Sequence, residues 1–159
     1  MLTNNNIKDI SIRKIGPDLA QELSELLRNV DPDYSKYFIP FNFDLQTVEK
    51  KLTDAKLDLF FGIFVNARLV GFYMLRGFDE GYDIPSYGVW ISSEFAGKGL
   101  ARLTIQHAIS FCKINNINQL MLKVHPDNLK AIKLYEDFGF INSGLDPKND
   151  NLIYKKLIS

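Results

Sequence analysis

The chain of 159 residues has a single cysteine, Cys112. An internal disulfide is therefore excluded, and a reducing cytoplasm is the expected setting. No apolar run approaches the roughly 20 residues that a membrane-crossing helix needs, and residues 1–18 lack the apolar core of a secretion signal. Neither sign of charge is in excess. With 19 basic residues against 19 acidic ones, no global field draws the chain to nucleic acid or to an anionic membrane. The two histidines and the cysteine do not fall at metal-ligand spacing, so no metal site is expected. There is no internal repeat and no low-complexity segment.

What is present is an ordinary globular composition. Hydrophobic residues make up 46% and charged residues 24%. The 12 Phe and 7 Tyr bring more aromatic bulk than a disordered chain carries. The length suits one domain, residues 1–159. Residues 7–15 alternate loosely through Ile10 and Ile12 and end at Gly16-Pro17-Asp18, as a first strand leading into a helix would. Leu19, Leu23, Leu26, Leu27 and Val30 then recur at helical spacing until Asp31-Pro32. Asp44 is placed to cap a short helix carrying Leu45, Val48 and Leu52. Residues 57–65 and 69–77 are β-rich runs joined by Asn66-Ala67-Arg68, which reads as a hairpin. A strand over 87–91, a helix over 99–115 and a strand over 120–124 follow. A helix then runs from Pro126-Asp127-Asn128 to Gly139, and 140–144 with 152–158 form a last strand pair. Hairpins imply antiparallel pairing and strand-helix-strand connections imply parallel pairing. The expected fold class is α/β, with a mixed, mostly antiparallel central sheet of about seven strands and flanking helices.

Between the strand over 87–91 and the helix after it stands "EFAGKGLAR". The start of a helix carries unpaired N–H groups and partial positive charge, and glycines beside it let a ligand approach the backbone closely. Gly97 and Gly99 permit that approach, and Lys98 and Arg102 can add charge to the same anion. A di- or polyphosphate is one reading and a tight strand-to-helix turn is the other; two glycines alone do not choose. The longer phosphate patterns do not fit, since G-x-x-x-x-G-K-[ST] is absent and G-x-G-x-x-G fails at Arg102.

One strand later comes "NLKAIKLYEDFGF", residues 128–140. In this order the two segments resemble the paired signatures of the GNAT superfamily of acyl-CoA-dependent N-acyltransferases, and the resemblance spans most of the chain. It implies a sheet whose strands splay around the cofactor. It further implies that backbone groups of Ala96, Gly97, Lys98, Gly99, Leu100, Ala101 and Arg102 receive the pyrophosphate of acetyl-CoA. Backbone groups of Trp90 and Ile91 would be free to pair with its pantetheine arm. Asn128 matches the asparagine near that arm, and Tyr135 matches the tyrosine that protonates the departing thiolate. Acyl transfer from a thioester to an amine does need such an acid. Without the resemblance, Tyr135 reads as a core residue beside Ala131, Leu134 and Phe138.

The implied function is transfer of an acetyl group from acetyl-CoA directly to a primary amine of a small molecule or a protein, by a monomer or homodimer. The alternative is a non-catalytic coenzyme A-binding sensor. Ala96, standing where Arg or Gln is usual, motivates it; Ser93, where proline is usual, is a second departure from the family pattern. The strand over 87–91 also lacks the carboxylate that many relatives use as a base. Asp79, Glu80, Asp83 and Glu94 are the nearest carboxylates and read first as solvated loop charges. His125 ends a strand, where it serves either as a base or as a packing group, and His107 reads as structural. Cys112 reads as a small buried hydrophobe. In the aromatic stretch "DYSKYFIPFNF", Tyr34, Tyr37, Phe38 and Phe41 either wall the acceptor pocket or form a satellite apolar cluster.

Overall fold

The computed structural model describes residues 3–158; residues 1, 2 and 159, the ends of the expected domain, lie outside the described residues. Seven strands form one sheet: β1 (Ile10–Lys14), β2 (Leu59–Val65), β3 (Arg68–Arg76), β4 (Ser86–Ile91), β5 (Gln119–Val124), β6 (Ile141–Leu145) and β7 (Leu152–Leu157). Their order is β1-β2-β3-β4-β5-β7-β6, and only β4 and β5 pair in parallel. The connection after β5 departs from the expectation in one respect: β7 inserts between β5 and β6, so these two do not share a ladder. Among the described residues five α-helices flank the sheet: α1 (Ala20–Arg28), α2 (Pro32–Ser35), α3 (Leu45–Asp54), α4 (Leu100–Ile114) and α5 (Leu129–Asp137). The short α2 lies in the stretch expected to be a loop, where Asp31 caps it by accepting the Asp33 amide and Pro32 opens its first turn.

The periodicities have plain physical outcomes. In α1 the buried residues are Ala20, Leu23, Ser24 and Leu27; in α3 they are Val48 and Leu52. These pack on one face of the sheet against Phe60, Phe64, Phe72, Met74 and Trp90. On the other face α4 buries Ile105, Ala108, Ile109 and Cys112 against Phe61, Tyr73, Tyr87, Leu120 and Leu122. Cys112 is fully buried there, and burial pushes its thiol up to about 11, which suits a packing residue and not a nucleophile. Asp44 accepts the Thr47 amide at the start of α3, as expected from its capping position.

Two loops are fastened by a reciprocal carboxylate clamp. Asp79 accepts the amides of Lys56, Leu57 and Asp58 at 3.0, 2.8 and 3.2 Å. Asp58 in turn accepts those of Gly77 and Asp79 at 2.9 and 3.1 Å. The Leu57 amide is the main cause holding the Asp79 carboxyl below its ordinary range. A carboxyl depressed in the folded state contributes stability above its unfolded pKa, and that contribution is lost as pH falls through the folded one. Asp79→Asn should therefore melt below wild type at neutral pH, with the gap closing as pH falls below about 4. A gap independent of pH in thermal melts would contradict the clamp.

Candidate active site

The parallel pairing of β4 and β5 is confined to Ser86↔Met121 and Tyr87↔Leu122. Beyond Tyr87 the two strands diverge, while β4 stays paired to β3 as far as Gly71↔Ile91. The direction of each backbone group follows from the ladder. The Ser92 amide donates to Val70 O at 2.8 Å, which makes 92 and 70 a hydrogen-bonded pair, so Trp90 and Gly88 also direct their N–H and C=O groups to β3. Val89 and Ile91 direct theirs into the gap. This corrects the expectation for Trp90, whose backbone is taken by β3, and adds Val89, which the sequence motifs did not single out. The Ile91 carbonyl accepts the Tyr34 hydroxyl at 2.5 Å, while the Trp90 indole donates to Ser35 Oγ at 3.2 Å. The segment carrying α2 therefore braces the outer half of β4. Tyr37 continues across to the end of β5, packing against His125 with ring centroids 4.8 Å apart and the rings tilted by 32°.

The gap widens toward the end of β4 where α4 begins. Gly97 and Gly99 adopt φ of 74° and 86°, the left-handed region that disfavours a side chain, and a Cβ at either would meet nothing within 4 Å. The two glycines are therefore required by backbone direction and not by crowding. The first amide of this stretch to find a carbonyl is that of Leu103, which donates to Gly99 O at 3.1 Å. Among the described residues, the N–H groups of 97–102 have no acceptor. Such a run of amides at a helix start is an anion site in its own right.

The side chains of this loop are less available than its backbone. Arg102 pairs with Asp137 at 3.1 Å and lies over the Phe138 ring, so its guanidinium ties α4 to α5. To supplement an anion contact, Arg102 would have to leave this half-exposed pair. Lys98 is exposed, with its ammonium 5.5 Å from the Phe95 ring centre. Ser93 opens the short 3-10 turn Ser93–Phe95, a position where no intrahelical N–H bond is made, so its exchange with proline leaves the turn intact.

Across the gap stands Tyr135 on α5, 8% exposed, packed edge-on against Tyr87 and Phe140. Its hydroxyl has no hydrogen-bond partner among the described residues, and none of their buried polar side-chain atoms is unpartnered. The hydroxyl therefore meets the cleft. Burial pushes the phenol far above its ordinary range, so it stays protonated and can donate. Asn128 caps α5 through its carbonyl oxygen, 3.4 Å from the Ala131 amide. Both residues line a cleft of about 850 Å³, with Gly88, Val89 and Val124 at the gap.

The cleft extends over the sheet face left uncovered by α1 and α3. Of the aromatic stretch, Tyr37 and Phe38 line it, whereas Tyr34 braces β4 and Phe41 joins the apolar cluster under α1 and α3. The candidate carboxylates separate cleanly. Asp79 is the clamp described above, and Glu94 pairs with Arg68 at 2.8 Å. Glu80 and Asp83 line the cleft. His125 accepts the Asp127 amide on Nδ1 at 3.1 Å, which places the proton of the neutral ring on Nε2. His107 bonds the Tyr73 hydroxyl within the α4 layer, consistent with a structural role. Among the described residues no group of three His, Cys, Asp or Glu side chains stands close enough to hold a metal ion, and no helix is long and apolar enough to cross a membrane.

A seven-stranded sheet splayed between two parallel central strands, with a helix start at the open end, is the architecture of the acyl-CoA-dependent N-acyltransferases. The chain belongs to the acetyltransferase (GNAT) family, whose profile matches residues 18–140. It is 30% identical to the spermine/spermidine N(1)-acetyltransferase of Bacillus subtilis over 105 residues, 60% of this chain and 68% of that one. It is 32% identical to the spermidine N(1)-acetyltransferase of Vibrio cholerae over 77 residues, 48% of this chain. That alignment spans 44% of the Vibrio protein, less than half its length. In fold it is similar to the PaiA N-acetyltransferase of Thermoplasma acidophilum in complex with coenzyme A. The TM-score is 0.71 at 21% identity, over 94% of this chain and 99% of that one.

Proposed function

We propose that this chain, as one cytoplasmic domain, moves an acetyl group from acetyl-CoA directly to a primary amine. The observation that carries the reading is the gap between β4 and β5. The backbone groups of Val89 and the N–H of Ile91 are directed inward, unpaired amides lie at the helix start beside it, and a protonated tyrosine faces it. A pantetheine arm fits there as an added strand, and a pyrophosphate fits the 97–102 amides. Ala96 offers no side-chain anchor, so the amides carry that contact. Acetyl-CoA supplies the activated thioester. Asn128 keeps its amide nitrogen for the arm while its oxygen caps α5. Gly88 packs under Phe38 and Met74, whose atoms a Cβ there would meet at 3.1 and 3.2 Å, so the glycine lets that wall close on the strand.

As the amine nitrogen bonds the carbonyl carbon and the C–S bond breaks, Tyr135 delivers its proton to the sulfur. The nitrogen gives up one proton to the water of the open cleft, bounded by Glu80 and Asp83, and the phenol recovers one in turn. The charges balance without an acyl-enzyme. Cys112, the chain's one thiol, is buried under α4.

Free-thiol release from acetyl-CoA across a panel of amines tests the activity. Turnover dependent on an amine supports it, and binding of acetyl-CoA without turnover on any amine supports the sensor reading instead. Gly99→Ala probes the cradle: a side chain at φ 86° costs about 1 kcal/mol, and relaxing it turns the amides away. Titration calorimetry should show acetyl-CoA bound roughly tenfold more weakly; unchanged affinity would place the pyrophosphate elsewhere.

A further inference from the structure

The relatives named for spermidine and spermine act on polycations, and the cleft of this chain is built for something else. Resting on the transferase reading, we infer that the acceptor is a small amine that also carries a carboxylate, an amino acid or close analogue. The sheet register shows why. Arg76 of β3 stands beside Ser86 of β4, Ser86 beside Met121 of β5, and Met121 beside Lys155 of β7. One step along, Lys123 stands beside Ile153 on the same face, and all of these side chains line the cleft. The floor is thus an apolar strip of methionine and isoleucine set among cations. The turn between β6 and β7 adds Pro147 and Lys148 as a wall.

The charges do not cancel where they meet the floor. Lys123 is held by the nearly buried Asp146 at 2.9 Å, and that carboxylate also accepts the Lys148 amide at 3.0 Å. Asp146 is therefore satisfied by its own neighbours. Arg76, Lys148 and Lys155 have no carboxylate within ion-pair reach among the described residues. Glu80 and Asp83, the cleft's other carboxylates, stand on the loop before β4. A polyamine laid over β5 and β7 would meet like charge along its length. An acceptor whose amine reaches Tyr135 and whose carboxylate returns to Lys148, Lys155 or Arg76 meets opposite charge, with its short body on the apolar strip.

The test is a panel of amino acids, each beside its own carboxamide, with spermidine as the polycationic control. The readout is thiol release from acetyl-CoA, with kcat/KM expressed per neutral amine. The best amino acid should exceed both its carboxamide and spermidine by about tenfold or more. In Arg76→Gln and Lys155→Gln that ratio should fall by about tenfold, with melting temperatures confirming folded variants. A ratio at or below one, or a ratio that neither variant moves, overturns the inference. Turnover on spermidine alone would do so while leaving the transferase reading intact; no thiol release with any amine would remove both.

Discussion

Tyr135→Phe is expected to lower kcat by about 10² to 10⁴-fold, the range general-acid catalysis supplies, while acetyl-CoA binds as in wild type. The variant keeps the ring and so the edge-on packing against Tyr87 and Phe140, and its melting temperature should barely move. It loses only an oxygen that no described residue engages. Because burial raises the phenol's pKa, the acid form is the resident one at neutral and mildly alkaline pH. Wild-type kcat should therefore show no alkaline fall from this group below about pH 10, the ordinary tyrosine value. Tyr135 packs in the α4 and α5 layer whether or not it reacts. Undiminished kcat in Tyr135→Phe would assign it to packing alone, and a loss of acetyl-CoA affinity equal to the loss of kcat would make it a binding residue.

Gly71→Ala is expected to be the costliest single methyl in the chain. Gly71 pairs with Ile91 at the end of β4, and a Cβ there would stand 2.5 Å from the Trp90 carbonyl oxygen and 3.2 Å from the Ile91 Cα. Both neighbours are backbone, so relief requires β4 to move away from β3. Overpacking of this kind costs roughly 3 kcal/mol, and for a domain of this size that lowers the melting temperature by roughly 10 °C. The displaced segment is the one whose Val89 and Ile91 groups face the gap, so acetyl-CoA affinity should fall with stability. Gly62→Ala separates the two effects: Gly62 lies on β2, away from the gap, and its Cβ would crowd the Ile15, Phe64 and Leu69 side chains. That variant should lose stability while keeping acetyl-CoA affinity. If Gly71→Ala also keeps it, the outer half of β4 is not part of the cofactor site.

Much of this was readable from local chemistry. The helices announced themselves by Leu23 and Leu27, by Val48 and Leu52, and by Ile105 and Ile109, which are buried as their spacing requires. The glycine loop was legible because Gly97 and Gly99 do take positive φ at a helix start, and Asn128 because it does cap α5. What stayed hidden depends on pairing across long sequence distances. Alternation along β4 shows which side chains share a face, but only the register against β3 tells that Trp90 spends its backbone there and that Val89 does not. Likewise, nothing near Arg102 in sequence discloses Asp137, 35 positions on. Glu80 and Asp83 cannot be told from Asp79 by residue type; the amides of residues 56–58 claim Asp79 and leave the other two at the cleft. The cationic floor was invisible for the same reason, since Arg76, Lys123 and Lys155 lie on three strands that only the sheet brings together.

We propose that the β4–β5 gap and the start of α4 form one acetyl-CoA site facing Tyr135. A crystal structure of the chain with acetyl-CoA tests it most directly. The expected structure has the pyrophosphate on the amides of 97–102, the pantetheine paired with Val89 and Ile91, and the thioester sulfur within hydrogen-bond reach of the Tyr135 hydroxyl. Acetyl-CoA seated elsewhere, or with its sulfur turned away from Tyr135, would contradict it.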